Sequence, residues 1–164
     1  MKTIAICNHK GGVGKTALSM AIAEGLHRKG KRTLLVDLDQ QMNATQQAKI
    51  DTTDEVTVYD LLTSFLVSNA ESDMAKLDTR LTMLADAMEG IDDDYDYAII
   101  DCPPSLGLVT RNAMVAADEL IVPVIPNRSS LKGFTNIQKC VNSVRRNKRL
   151  NPNLRIAGIV VNKF

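Results

Sequence analysis

Residues 3–16 of the chain read Thr-Ile-Ala-Ile-Cys-Asn-His-Lys-Gly-Gly-Val-Gly-Lys-Thr, and this stretch decides the fold. An apolar run of strand-forming residues, 3–7, leads into a glycine-rich loop, and the loop opens a segment with helical periodicity from Thr16 to Lys29. A strand, a glycine-rich loop and a helix in this order form a phosphate-binding loop, because backbone N–H groups and the helix N-terminus then point at one phosphate. The sequence therefore predicts that the chain binds a nucleoside triphosphate.

The individual residues of the loop have separate expected tasks. Lys15 is placed to reach the β- and γ-phosphates, and the hydroxyl of Thr16 is placed to bind Mg²⁺. Lys10 is one lysine more than an ordinary phosphate-binding loop needs, and His9 stands where the plain pattern has its first glycine. The predicted nucleotide-binding residues of this segment are Lys10, Gly11, Gly12, Val13, Gly14, Lys15, Thr16 and Ala17.

Two further segments place acidic residues after apolar runs. One reads Asp37-Leu38-Asp39-Gln40-Gln41-Met42-Asn43, and the other, 96–107, contains Ile99-Ile100-Asp101-Cys102-Pro103-Pro104. Together with the two-lysine loop, these segments resemble the deviant Walker A, Asp-x-Asp and Walker B motifs of the ParA/MinD family of ATPases. The resemblance continues through 112–123 and 151–164, and it is strongest with the chromosome and plasmid partition ATPases.

The resemblance implies roles for the acidic residues and for Lys10. Asp101 would hold Mg²⁺, Asp37 would lie near the metal as a further ligand, and Asp39 would orient the attacking water. Lys10 would reach across a dimer interface to the nucleotide of the other subunit, so that Lys10, Lys15 and Asp39 form the catalytic set. The residues alone leave another interpretation open, because either Asp37 or Asp39 could cap a helix over 41–49.

Three other positions bear on nucleotide binding. Gln40 stands where the family has a proline, which would have stiffened the loop by fixing φ. Ala17 replaces a common second threonine, and the lost hydroxyl predicts a nucleotide affinity that is weaker by about 1 kcal/mol. Asn162, at the end of the last apolar run, resembles the position that reads the nucleotide base in related P-loop proteins.

Apolar runs alternate with helical patterns along the chain, which is typical of a parallel sheet covered on both faces. The pattern predicts an α/β, three-layer P-loop NTPase fold with a mostly parallel sheet, in a single domain over residues 1–164. Compared with the family, the chain is expected to lack the usual C-terminal strand and helices. Strands are expected at 3–8, 33–37, 65–69, 98–101, 120–123 and 156–162, and helices at 16–29, 73–88, 106–117 and 131–149, with a polar helix and a short second one within 43–63.

The composition favours a globular protein of a reducing cytoplasm. Hydrophobic residues make up 45% of the chain and charged residues 24%. No apolar run is long enough to span a membrane, and no leader precedes the first strand, so we expect no membrane partner. The three cysteines are far apart in sequence and match neither a metal-binding nor a disulfide spacing.

The net charge of +1 hides a strong asymmetry along the chain. Residues 71–101 are rich in Asp and Glu, whereas neither residue type follows Glu119. A basic cluster near the end of the last predicted helix is either an ordinary solvated face or a surface for non-specific DNA binding through phosphate contacts. This basic cluster consists of Arg145, Arg146, Lys148 and Arg149.

These expectations combine into one function. The chain is predicted to be a Mg²⁺-dependent ATPase that dimerises with ATP, binds DNA non-specifically and serves plasmid or chromosome partition. Its expected partner is a ParB-like centromere-binding protein, and its expected location is the nucleoid in the cytoplasm. Two alternatives stay open: a nucleotide-gated regulator without significant hydrolysis, and a metabolic ATP-dependent ligase on the same scaffold.

Overall fold

A parallel β-sheet forms the centre of the molecule. The computed structural model describes residues 1–49 and 74–162. Within these residues five parallel strands lie in the order β2-β3-β1-β4-β5, so that β1 is central. The strands are β1 (Lys2–Ile6), β2 (Thr33–Asp37), β3 (Tyr97–Asp101), β4 (Glu119–Val124) and β5 (Arg155–Val161).

Helices cover both faces of this sheet. One face carries α1, which packs Leu18 and Ile22 against the isoleucines of the central strands. The other face carries a larger core, to which the third, fourth and fifth helices contribute Leu84, Met114 and Ile137. The helices of the described part are α1 (Lys15–Arg28), α2 (Asn43–Gln47), α3 (Met74–Glu89), α4 (Leu108–Ala116) and α5 (Arg128–Arg146).

The fold class predicted from the sequence is confirmed, and the bounds of β1 and α5 differ most from the prediction. Strand β1 ends at Ile6, so that position 8 belongs to the loop. Helix α5 begins earlier than expected, because the Asn127 side chain caps it by accepting a hydrogen bond from the backbone N–H of Ser130 at 3.1 Å. It also ends at Arg146 rather than 149, because Asn147 is extended.

Other expectations fall outside the described residues or concern membranes. The short helix expected at 58–62 and the strand expected at 65–69 lie outside the ranges that the structure describes. Within those ranges, none of the helices has the length and apolar character that crossing a membrane requires.

The fold brings together two cysteines that are distant in sequence. Cys7 follows β1 and Cys102 follows β3, and both side chains are fully buried. The Cys7 thiol donates to the Cys102 sulfur at 3.1 Å. This hydrogen bond and burial raise the pKa of Cys102 well above its ordinary value, so the thiol stays protonated and packs as a small core residue.

Candidate nucleotide-binding site

The glycine-rich loop connects β1 to α1 at the carboxyl edge of the sheet. Gly12 and Gly14 have φ angles of 70° and 89°, a region that side chains other than glycine rarely adopt. Gly14 is also the N-cap of α1, and no side chain accepts a hydrogen bond there. The first N–H groups of the helix therefore lack a side-chain cap, which is the arrangement in which a helix N-terminus binds an anion.

The two lysines of the loop differ in their environments. Lys15 is only 7% exposed, and its ammonium donates to the backbone carbonyl of Lys10 at 3.3 Å. Lys10 is half-buried at the front of the loop. The structure thus places the lysine expected to bind the β- and γ-phosphates inside the loop and the additional lysine in front of it.

Asn8 holds the start of this loop, a role that the sequence analysis missed. Its Oδ1 accepts from the backbone N–H of Lys10 at 3.0 Å, and its Nδ2 donates to the carbonyl of Pro123 at 2.6 Å. The side chain is 5% exposed and so links the loop to the end of β4. A polar residue directly between an apolar strand and a phosphate-binding loop was the only signal in the sequence.

His9 connects the same loop to α5. Its imidazole ring packs against Gly133, and a Cβ at that position would overlap the ring. The plain phosphate-binding pattern has a glycine at position 9, and glycine has no side chain that could contact α5. The His9 ring is therefore the point at which the loop and α5 meet.

Asp101 lies at the end of β3, beside the central strand. The residue is fully buried, and its Oδ1 accepts from the Ser19 hydroxyl at 3.1 Å. Its Oδ2 has no hydrogen-bond partner within the described residues. Burial raises the pKa of Asp101 to about 6, although hydrogen bonds from Thr16 and Ser19 oppose the shift. A buried, unpaired carboxylate oxygen next to a threonine hydroxyl is a fitting ligand for a hard cation.

Asp37 and Asp39 follow β2, the neighbour of β3. Asp37 pairs in register with Asp101, and its charge contributes to the raised pKa of that residue. The Oδ2 of Asp37 accepts from the backbone N–H and the hydroxyl of Thr45, at 3.0 and 2.9 Å. Asp37 thus caps α2, as the alternative interpretation allowed, and also lies beside Asp101. Asp39 is half-buried, and its Oδ1 accepts from the backbone N–H of Gln41 at 3.1 Å.

Asn162 lies against the phosphate-binding loop. Its Nδ2 donates to the carbonyl of Val13 at 3.0 Å, and a Cβ on Gly14 would overlap its amide. Between Ala17, Pro123 and Asn162 there is an open pocket of about 220 Å³. The side chain predicted to read the base therefore borders a pocket directly beside the loop, and base recognition stays a prediction.

The basic cluster lies away from the loop. Arg145 and Arg146 are exposed in the last turn of α5, and Lys148 and Arg149 are exposed beyond the helix end. Gly133, where α5 contacts the loop, is roughly 20 Å from Arg146 along the helix axis. The cluster therefore belongs to a separate surface.

This arrangement defines a class of protein. A phosphate-binding loop follows the central strand of a parallel sheet, and a buried carboxylate lies at the end of a neighbouring strand. Together these features form a P-loop NTPase fold. A family model described as an AAA domain matches residues 1–68 and 61–156. The sporulation initiation inhibitor protein Soj of Bacillus subtilis is 38% identical over 98% of this chain and 72% of its own length. The chromosome partitioning protein ParA of Caulobacter vibrioides is 33% identical over 100% of this chain and 70% of its own length. The chain belongs to this Soj/ParA family.

Solved structures share the fold of this chain. Cobyrinic acid a,c-diamide synthase from Mycobacterium smegmatis, with bound ADP and magnesium, superposes with a TM-score of 0.81 at 30% identity, over 97% of this chain and 73% of that chain. A variant of McdA from Cyanothece in complex with ATP has a TM-score of 0.81 at 20% identity, over 98% of this chain and 70% of that chain. At 20% identity, the likeness to McdA shows that the two proteins share a fold.

Proposed function

We propose that the protein is a Mg²⁺-dependent ATPase that dimerises with ATP and acts as a switch in DNA partition, at the nucleoid in the cytoplasm. The observation that carries the proposal is the two-lysine loop. Lys15 is buried within the loop, where it would bind the β- and γ-phosphates of the nucleotide held there. Lys10 is half-buried at the front of the loop, on the side from which a second subunit would bring its phosphate groups.

We propose ATP and Mg²⁺ as the ligands of this site. Thr16 and Asp101 would hold the metal, with Asp37 beside them, and the unpaired Oδ2 of Asp101 supports this choice. No group of three or more His, Cys, Asp or Glu side chains within the described ranges could hold a metal alone. Mg²⁺ ordinarily combines one or two carboxylates with water and substrate phosphates, and it would neutralise charge on the phosphates.

The remaining chemistry belongs to the chain's own residues. The backbone N–H groups from Gly11 to Thr16 and the Lys15 ammonium would bind and orient the phosphates. Asp39 would orient the attacking water, and Lys10 of the other subunit would compensate the charge that develops in transfer. Because that last group comes from a partner, hydrolysis would depend on dimerisation.

The solution mass of an Asp39→Ala variant tests the proposal, because this variant should bind ATP without consuming it. We expect twice the monomer mass of 18.0 kDa with Mg²⁺-ATP, and the monomer mass with Mg²⁺-ADP. Adding Lys10→Ala should give a monomer that still binds ATP, whereas adding Lys29→Ala, an exposed lysine at the end of α1, should leave the dimer intact. A monomer with ATP bound in the Asp39→Ala variant would contradict the switch.

The partners belong to the same proposal. The exposed basic cluster would bind DNA non-specifically in the dimeric state, and a ParB-like protein would stimulate hydrolysis. Relatives described as chromosome partitioning proteins support this choice. ATP-dependent dimerisation without turnover, with or without DNA, would instead favour a nucleotide-gated regulator.

A second candidate function is supported by one observation, the structural likeness to a protein described as cobyrinic acid a,c-diamide synthase. The chain would then be a metabolic ligase that couples ATP hydrolysis to amide formation on a carboxylate. ATP turnover that requires a small carboxylate acceptor and a nitrogen donor would favour the ligase. Turnover stimulated by DNA would favour the partition switch.

A further inference from the structure

We propose that Thr45 is a positioning residue for hydrolysis, which acts through Asp37 on the loop that carries Asp39. We call residues 38–42, between β2 and α2, the Asp39 loop. The inference rests on the proposed function, because it assumes that Asp39 orients the attacking water.

The carboxylate of Asp37 ties the two ends of the Asp39 loop together. Its Oδ1 accepts from the backbone N–H of Asp39 at 3.1 Å. Its Oδ2 accepts from the backbone N–H of Thr45 at 3.0 Å and from the Thr45 hydroxyl at 2.9 Å. Three hydrogen bonds to one carboxylate therefore fix where the Asp39 backbone lies relative to the first turn of α2.

The Asp39 loop needs such a support, because its own conformation is unfavourable. Met42 has a φ of 47°, in the left-handed region that non-glycine residues rarely adopt. Its N–H donates to the carbonyl of Asp39 at 2.8 Å, which closes a tight turn. Without a proline at position 40, nothing covalent stiffens this turn, so it is held by hydrogen bonds, and those to the Asp37 carboxylate are the ones that join the loop to α2 through Thr45.

Thr45 decides which way the Asp37 carboxylate faces. Asp37 lies in register with Asp101, so a cation bound there would attract the Asp37 carboxylate away from the loop. The Thr45 hydroxyl opposes that rotation because it donates a hydrogen bond to Oδ2 of Asp37. Asp37 is thereby kept on the loop, and the direction of Asp39 is kept with it.

The test compares two substitutions at position 45 with a matched control. Thr45→Val removes the hydroxyl and keeps both the shape and the backbone N–H, whereas Thr45→Ser keeps the hydroxyl. Thr82→Val is the control, because the Thr82 hydroxyl also donates to a carboxylate, that of Asp86, at 3.0 Å on the exposed side of α3.

The first readout needs no nucleotide. Amide hydrogen exchange, followed by NMR on the nucleotide-free chain, should be about tenfold faster at the Asp39 N–H in Thr45→Val. Thr45→Ser and Thr82→Val should exchange at the wild-type rate. If exchange at the Asp39 N–H is unchanged in Thr45→Val, the Thr45 hydroxyl does not hold the Asp39 loop, and the proposal is overturned.

The second readout is steady-state turnover at saturating Mg²⁺-ATP. Thr45→Val should lower kcat about tenfold, with KM and the Mg²⁺ concentration for half-activity within about twofold of wild type, and Thr45→Ser should restore kcat. A loss that falls mainly on KM or on the Mg²⁺ requirement would overturn the proposal, because Asp37 would then serve the metal. If Asp39→Ala leaves turnover unchanged, the assigned role of Asp39 in the proposed function fails, while the exchange measurement still decides the contact with Thr45.

Discussion

Burial raises the pKa of Asp101 from 3.8 to about 6, and one of its oxygens has no hydrogen-bond partner within the described ranges. The ionised form is therefore less stable in the folded protein than in the unfolded chain. The nearby charge of Asp37 adds to this cost, and the hydroxyls of Thr16 and Ser19 reduce it. A bound cation would remove the cost, so one residue links stability to ligand binding.

The cost of Asp101 should appear as a pH dependence of stability without nucleotide. The pKa of Asp101 is higher in the folded protein than in the unfolded chain. Its protonated carboxyl therefore contributes to the free energy of unfolding in full below pH 3.8, and this contribution is lost as pH rises through about 6. Asp101→Asn removes this titration, so its free energy of unfolding relative to wild type should increase by roughly 2–2.5 kcal/mol between pH 4 and pH 7. Urea unfolding with EDTA at both pH values measures the change. A difference between the two proteins that stays constant with pH would contradict the assignment.

At the scale of elements, the phosphate-binding loop and α5 meet at one glycine. A Cβ at Gly133 would overlap the His9 ring, so Gly133→Ala should displace the loop and weaken ATP binding several-fold. In a His9→Ala background the same change should leave affinity unaltered and raise stability by about 0.5–1 kcal/mol, since alanine favours a helix over glycine. Calorimetric titration measures the ATP affinity, and thermal unfolding the stability, of wild type, Gly133→Ala, His9→Ala and the double variant. Equal losses of affinity in both backgrounds would exclude the coupling.

The sequence predicted those parts of the site that local motifs encode. The loop, Thr16 and Asp101 were found because fixed spacing and strand ends determine where such residues lie. Asn8 and Ser19 were missed because their partners are set by the sheet order: Asn8 binds Pro123, which is 115 positions away along the chain, and Ser19 binds Asp101 from 82 positions away. No pattern within either segment signals contacts over such separations.

The end of α5 was placed wrongly for a similar reason. Nothing between Arg146 and Leu150 breaks a helix by composition, so the predicted helix continued to residue 149. In the structure Asn147 is extended, its Nδ2 donates to Asp78 on α3 at 2.8 Å, and its Oδ1 accepts from the N–H of Arg149 at 3.0 Å. A tertiary contact and a local turn thus end the helix.

At the scale of the whole molecule, the contact with the phosphate-binding loop and the two arginines of the basic cluster are separated along one helix. The first third of α5 contacts the phosphate-binding loop through Gly133, and its last turn carries Arg145 and Arg146. A movement of α5 as one rigid helix would carry Arg145 and Arg146 together with Gly133. This geometry allows the nucleotide state to alter DNA binding at a distance, provided that the arginines contact DNA.

Replacing Arg145 and Arg146 together by alanine should weaken DNA binding equally for all sequences. Each lost phosphate contact reduces the slope of log affinity against log salt by about 0.9, so the double variant should show a slope smaller by about 1.8 for each subunit of the dimer that contacts the DNA. Fluorescence anisotropy with two unrelated duplexes, at several salt concentrations and with Mg²⁺-ATP in the Asp39→Ala background, measures both quantities. Arg28→Ala with Lys29→Ala is the matched control, because these exposed residues at the end of α1 carry the same charge. If the control variant loses as much salt dependence as the α5 variant, binding follows net charge alone, and the cluster is an ordinary solvated face.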